Sequence, residues 1–149
     1  FGVKGIRFLS RRMLKYEKFY GKSLAIDNLR FQLLLLEEAG TGGSGFRYLY
    51  TRFLAEAAAI VNDTHLLSFS EEMKNIADRW RSFAVDTLRY TKVADNGYDP
   101  FPKTATWENL RQKPVNEATD MKFLSDIIFS IAGLEEKFFK ELRKWVKEK

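Results

Sequence analysis

The chain contains no cysteine, one histidine, three prolines and no apolar run longer than the five residues Ala57 to Val61. Each shortage removes a class of function. Without cysteine there is no disulfide framework, no thiolate metal site and no cysteine nucleophile. A reducing compartment is compatible with that, and a cytoplasmic location is the expectation. A single histidine, His65, rules out two-histidine zinc sites. A membrane span needs about 20 apolar residues, and no signal-peptide pattern opens the chain, so no membrane role is expected. What remains is 149 residues, 30% charged and 45% hydrophobic, enough for one compact domain with its own core. The chain opens on Phe1 rather than Met. Residues 1–149 are therefore expected to be a single domain that is part of a longer protein. These counts argue against a self-sufficient enzyme. No catalytic residue, metal or cofactor is expected.

The net charge is +5, and its distribution is uneven. Residues 1–22 hold seven basic side chains and one acid, Glu17, so this segment carries +6 and the rest of the chain −1. Lys4, Arg7, Arg11, Lys15, Lys18 and Lys22 recur at helical spacing. So do Val3, Ile6, Leu9, Met13, Tyr16 and Tyr20, and the two sets fall on opposite faces of one amphipathic helix that Gly21 would stop. A face this uniform in sign poses the question of a partner surface.

Four further helices follow from the periodicity. The second starts after Ser23 or Asp27 and runs through Leu33–Leu36 to Ala39, its four leucines making it the candidate centre of the core. The third is capped by Ser44 and carries Phe46, Leu49, Tyr50, Phe53, Leu54, Ala57 and Ile60. The fourth lies within 65–90, with Met73, Ile76, Ala77, Trp80, Phe83, Ala84 and Leu88 on one side. The last runs from about Ala118 towards the C-terminus on a stripe from Leu124 to Trp145. Between these two, residues 93–117 hold Pro100, Pro102, Pro114 and the Asn96-Gly97 turn signal, with a turn or two of helix at Trp107 to Gln112. No alternating strand pattern is present. The fold class is all-α, a compact bundle of about five helices with a long proline-containing loop before the last.

Four features invite a functional reading. The glycine-rich run GTGGSG at 40–45 precedes a helix, where backbone N–H groups can hold phosphate. A phosphate-binding P-loop would continue with Lys and Ser or Thr after a strand; this chain continues with Phe46 and Arg47 after a helix. A helix corner built on left-handed glycines is the competing reading, and nucleotide hydrolysis is excluded. His65 lacks an orienting neighbour at helical spacing, and the acids form no Glu-x-x-His pair of the di-iron kind. Tyr98, Phe101 and Trp107 are either apolar anchors of the 93–117 segment or a lid over a binding cleft. The basic stripe suits an acidic protein, nucleic acid or an anionic membrane. Nucleic acid is disfavoured because no recognition motif accompanies it, and membrane because the apolar face is needed for the core. An acidic partner is preferred, beside a merely solvated face.

The block GTGGSGFRYLYTRFLAEAA at 40–58, with ADRWRSFA around Trp80 and Leu134-Glu135-Glu136, resembles the C-terminal domain of unknown function in proteins similar to butirosin biosynthesis protein H. The shared features fall on Gly40, Thr41, Gly42, Gly43, Phe46, Arg47, Tyr50, Phe53, Leu54, Glu56, Ala57 and Ala58. Only this block is distinctive, although the resemblance follows most of the chain in order. The resemblance implies a non-catalytic helical domain that accompanies an N-terminal papain-like domain, in a protein that transfers an acyl group from an acyl carrier protein. Acyl carrier proteins are acidic, which would match the basic stripe. On the same resemblance, Arg47 either meets a phosphopantetheine phosphate or braces the glycine corner.

Overall fold

A computed structural model of the chain describes residues 2–39, 42–115 and 120–149. They form six helices and no strand: α1 (Val3–Met13), α2 (Tyr16–Glu37), α3 (Arg47–Val61), α4 (Thr64–Ala94), α5 (Ala105–Arg111) and α6 (Met121–Glu148). The all-α reading therefore holds, with corrections to where the helices break.

The first corrections concern the N-terminal segment. The sequence pattern makes residues 3–20 one helix stopped by Gly21, but the chain turns at Leu14 and Lys15, where the Lys15 N–H bonds the Arg12 carbonyl at 3.0 Å. Helix resumes at Tyr16 and is interrupted at Gly21, whose φ of 76° and ψ of 164° are non-helical, so the expected stop appears as a sharp kink within α2. The turn lets Met13 and Tyr16 both enter the core, whereas Tyr20, the last of the apolar set, stays substantially exposed.

The centre of the core is α4, not the leucine-rich α2. In α2 Leu29 and Leu33 are buried, but Leu34 and Leu35 face outward. In α4 every residue from Phe83 to Leu88 is buried, which requires neighbours all round the helix. Its neighbours are α2, α3, α5 and α6, while α1 packs on α6. Two apolar clusters share this helix. The larger joins Met13, Leu29, Leu54, Met73, Trp80, Phe83, Ile128 and Phe138; the smaller joins Leu33, Val85, Leu88, Trp107 and Leu110.

Helix α3 also departs from its pattern. Leu54 and Ala58 are buried, but Phe46, Leu49, Phe53 and Ile60 are exposed, Ile60 by 84%. Ser44 does not cap this helix. The cap position belongs to Phe46 at φ 70°, and the buried Ser44 hydroxyl instead donates to the Ala77 carbonyl on α4 at 2.8 Å. Asp63 caps α4 by accepting from the His65 N–H at 2.9 Å, and Asp120 caps α6 by accepting from Phe123 N–H at 2.7 Å. The expected start of the last helix near Ala118 lies outside the described residues. The 93–117 segment is not one long loop: α4 reaches Ala94 and α5 occupies 105–111, with Pro100 and Pro102 before α5 and Pro114 after it.

Candidate functional site

The three stretches that carry the sequence resemblance meet in space. Arg47, at the start of α3, donates from Nε to Glu135 Oε1 at 2.9 Å and from Nη2 to Glu135 Oε2 at 3.1 Å. Trp80 Nε1 donates to the same Glu135 Oε1 at 2.8 Å, and the Arg47 guanidinium lies 5.0 Å from the Trp80 ring centroid. The Glu135 side chain is only 3% exposed, so three charge-assisted bonds compensate a carboxylate removed from water. Arg47 Nη1 also donates to the Gly45 carbonyl at 2.7 Å, tying the glycine turn to α6. The hydrogen bonds of the Arg47 guanidinium thus run to Glu135 and to the Gly45 carbonyl.

A second buried pair lies beside it. Arg81 stands 2.9 Å from the fully buried carboxylate of Glu37, which also accepts from the Ser44 N–H at 3.4 Å. Burial outweighs Arg81 and Ser44 and pushes the Glu37 carboxyl up to about 7. Gly43, at φ 84°, packs so closely here that a Cβ would overlap the Arg81 guanidinium. Gly42 lies against Leu49, and a Cβ on Gly45 would stand 2.7 Å from Arg47 Nη1. Gly40 and Thr41 of the motif loop lie outside the described residues. Gly43 and Gly45 thus pack closely on the two ion pairs, and Gly42 on Leu49. Among the described residues no group of three metal-ligating side chains exists, and no helix is long and apolar enough to cross a membrane.

Two of the three candidate lid residues, Phe101 and Trp107, are packed down. Trp107 is fully buried, stacks on Phe101 at 3.9 Å between centroids, and donates from Nε1 to Glu38 Oε2 at 2.8 Å. Arg111 binds both Asp99 oxygens, at 2.9 and 3.1 Å, together with the Phe101 and Pro102 carbonyls. Its guanidinium holds the Asp99 carboxyl below the usual carboxylate range. Tyr98 remains exposed, with its carbonyl accepting from Arg30 Nη2 at 3.0 Å.

The basic stripe divides into one committed residue and a free set. Arg7 reaches Glu136 at 2.6 Å and is part of the α1–α6 contact. Lys4, Arg11, Lys15, Lys18 and Lys22 are exposed and form no ion pair with any described residue. Phe8, 65% exposed, stands on α1 among them, and Leu14 and Phe19 are half exposed around the turn. Arg12 lies 4.5 Å from the Phe19 ring centroid and donates to the Tyr20 hydroxyl at 3.1 Å. The result is a bent cationic surface studded with apolar side chains.

Sequence reasoning missed the roles of Glu37, Arg81 and Glu135. The signal was present for the two acids. Glu135 falls four residues after Ile131 and three before Phe138, and Glu37 four after Leu33, so both sit on buried stripes rather than outer faces. An acid on such a stripe needs a cation opposite it. Nothing local identified which cation.

A family model described as a domain of unknown function, DUF4872, matches residues 1–142. No curated protein and no solved structure matches the chain. The likeness to butirosin biosynthesis protein H rests on the sequence resemblance alone.

Proposed function

The chain belongs to the family of the domain of unknown function DUF4872, and from that premise we propose that it is a non-catalytic docking domain whose N-terminal surface recruits an acidic partner protein. The observation that carries this reading is the set of exposed cations Lys4, Arg11, Lys15, Lys18 and Lys22, without ion-pair partners among the described residues and interspersed with exposed Phe8, Leu14 and Phe19. A solvated helix face that served stability alone would mix signs and carry few aromatic rings. Uncompensated cations steer an acidic partner and fix its register, while the apolar side chains provide desolvated anchors.

The resemblance to proteins similar to butirosin biosynthesis protein H supplies the finer form of the proposal. The parent protein would carry an N-terminal papain-like domain and act in the cytoplasm in acyl transfer, and the acidic partner would be its acyl carrier protein. The outward apolar side chains of α3, Phe46, Leu49, Phe53 and Ile60, offer a separate surface on which that catalytic domain would rest.

The test is binding of an acidic acyl carrier protein by biolayer interferometry at two salt concentrations. Reversal of Lys4, Arg11, Lys15 and Lys18 to Glu is expected to weaken binding at least about tenfold and to flatten its salt dependence. Unchanged binding by the reversed variant ends the proposal. The rival reading is a free-standing module whose basic face takes nucleic acid; it requires a duplex or single strand to bind more tightly than the carrier, with a steeper salt slope.

A further inference from the structure

A different surface carries an inference that does not depend on the docking proposal. Past Ala94 the chain reverses through Asn96 at φ 53° and Gly97 at φ 88°, and the Gly97 N–H closes back on the Lys92 carbonyl at 2.8 Å. The Asp99–Arg111 bidentate pair and the Phe101–Trp107 stack then fix residues 98–103 against α5. These contacts leave a recess of about 290 Å³ between the C-terminal half of α4 and the end of α5. Its floor is Val85, Leu88, Leu110 and Val115, the edge of the smaller apolar cluster. Its walls carry Arg89, Lys92, Arg111 and Lys113 against a single carboxylate, Asp99.

The two cations nearest the chain reversals, Lys92 and Lys113, suit the negative ends of α4 and α5. Dipole pairing, however, calls for neither Arg89, which lies more than a turn before the end of α4, nor an apolar floor. Asp99 offsets only part of this charge: both of its oxygens are held by Arg111, and it also feels the charge of Lys92, leaving the walls net positive. Arg89, Lys92 and Lys113 form no ion pair with a described residue and are free to turn their charges to a ligand. An apolar base with convergent charged groups on one rim is the usual makeup of a small-molecule site, and this volume lies near the lower end of their range.

We propose that the α4–α5 recess binds a small amphiphilic anion, a free molecule with a short apolar body on Val85, Leu88, Leu110 and Val115 and a phosphate or carboxylate head held by Arg89, Lys92 and Lys113. Arg111 is a positioning residue, since its donors already hold the segment that forms the wall.

Octyl phosphate, octanol and inorganic phosphate are the probes, read by amide chemical shifts and calorimetric titration on the whole chain. Octyl phosphate is expected to bind saturably, with shifts concentrated at residues 85–92 and 110–115, and each half-ligand at least about tenfold more weakly. The exposed triple variant Arg89→Gln/Lys92→Gln/Lys113→Gln, confirmed as folded by its thermal transition, is expected to lose at least about tenfold in affinity. Removing the same charge elsewhere, with Lys74→Gln/Lys140→Gln/Lys147→Gln at exposed positions outside both proposed sites, is expected to leave octyl phosphate binding unchanged. Octanol binding as tightly as octyl phosphate, or equal losses in the two triple variants, overturns the proposal. Phosphatidylglycerol vesicles separate a free amphiphile from a lipid headgroup. Co-sedimentation that is insensitive to the Arg89/Lys92/Lys113 variant is the expected result, and co-sedimentation abolished by it overturns the assignment to a free molecule.

Discussion

Two sets of charges in this domain follow opposite rules. Beneath the glycine corner, Glu37 meets Arg81 and Glu135 meets Arg47, each carboxylate buried and each cation turned inward. Around the α1–α2 turn, Lys4, Arg11, Lys15, Lys18 and Lys22 stand in water and form no ion pair with a described acid. The difference shows what burial demands. A carboxylate taken out of water must be matched by hydrogen bonds and an opposite charge, so its partner is built into the fold. An exposed lysine is already solvated, and any partner it has is left for another molecule. The same residue types therefore report on stability in one place and on recognition in the other.

The sharpest way to break this contrast is to remove a buried partner. Arg47→Ala strands the Glu135 carboxylate with only Trp80 Nε1 and is expected to cost about 3–5 kcal/mol by thermal or urea unfolding. A loss within about 0.5 kcal/mol would place this pair with the exposed charges. Trp107→Ala, which empties a fully buried ring site and removes the bond to Glu38, is expected to cost a similar 3–5 kcal/mol. That result would separate an anchor from a movable lid. A lid residue would leave the unfolding midpoint nearly unchanged.

Glu37 gives the contrast a pH signature. Its carboxyl is raised from 4.5 to about 7 by burial, so below pH 4.5 it is protonated in both folded and unfolded chains. As pH rises from 4.5 to about 7 the unfolded chain loses this proton while the folded chain keeps it, and stability falls; above about 7 the effect levels off. The expected loss is roughly 2–3 kcal/mol across that window, and Glu37→Gln should remove it. Unfolding midpoints measured from pH 5 to 8 in both proteins check the sign. A wild-type slope equal to that of the variant would refute it.

Gly43→Ala is expected to cost about 1–3 kcal/mol, because φ 84° is unfavourable for alanine and the new Cβ displaces Arg81 from Glu37. The smallest effect belongs to the exposed set. Lys4→Gln or Lys18→Gln should shift stability by no more than about 0.5 kcal/mol, whatever it does to partner binding.

Much of the architecture was legible without coordinates. The long stripe from Leu124 to Trp145 became α6, and the short helix expected at Trp107 to Gln112 appeared as α5, shifted by two residues at its start and one at its end. Periodicity failed where apolar side chains outnumbered the places for them. Leu34 and Leu35 share a helix with buried Leu33, and Phe53 neighbours buried Leu54, yet all three face outward. Periodicity states which residues share a face, but not which face finds a neighbour. The site was less legible than the fold. Arg47, Trp80 and Glu135 lie in three quoted segments, but their meeting in one hydrogen-bonded cluster required the packing of α3, α4 and α6.

By itself the sequence determined the all-α class, the absence of thiol chemistry and the concentration of positive charge in residues 1–22, because composition and spacing are properties of the chain alone. Tertiary structure decided which helix is central, which glycines must remain glycines, and which charges are paired. Those depend on groups 33 to 88 positions apart coming within hydrogen-bonding distance, as the Ser44 hydroxyl does with the Ala77 carbonyl and Arg47 with Glu135. No local pattern encodes such a meeting, because its free energy arises only when burial removes both groups from water.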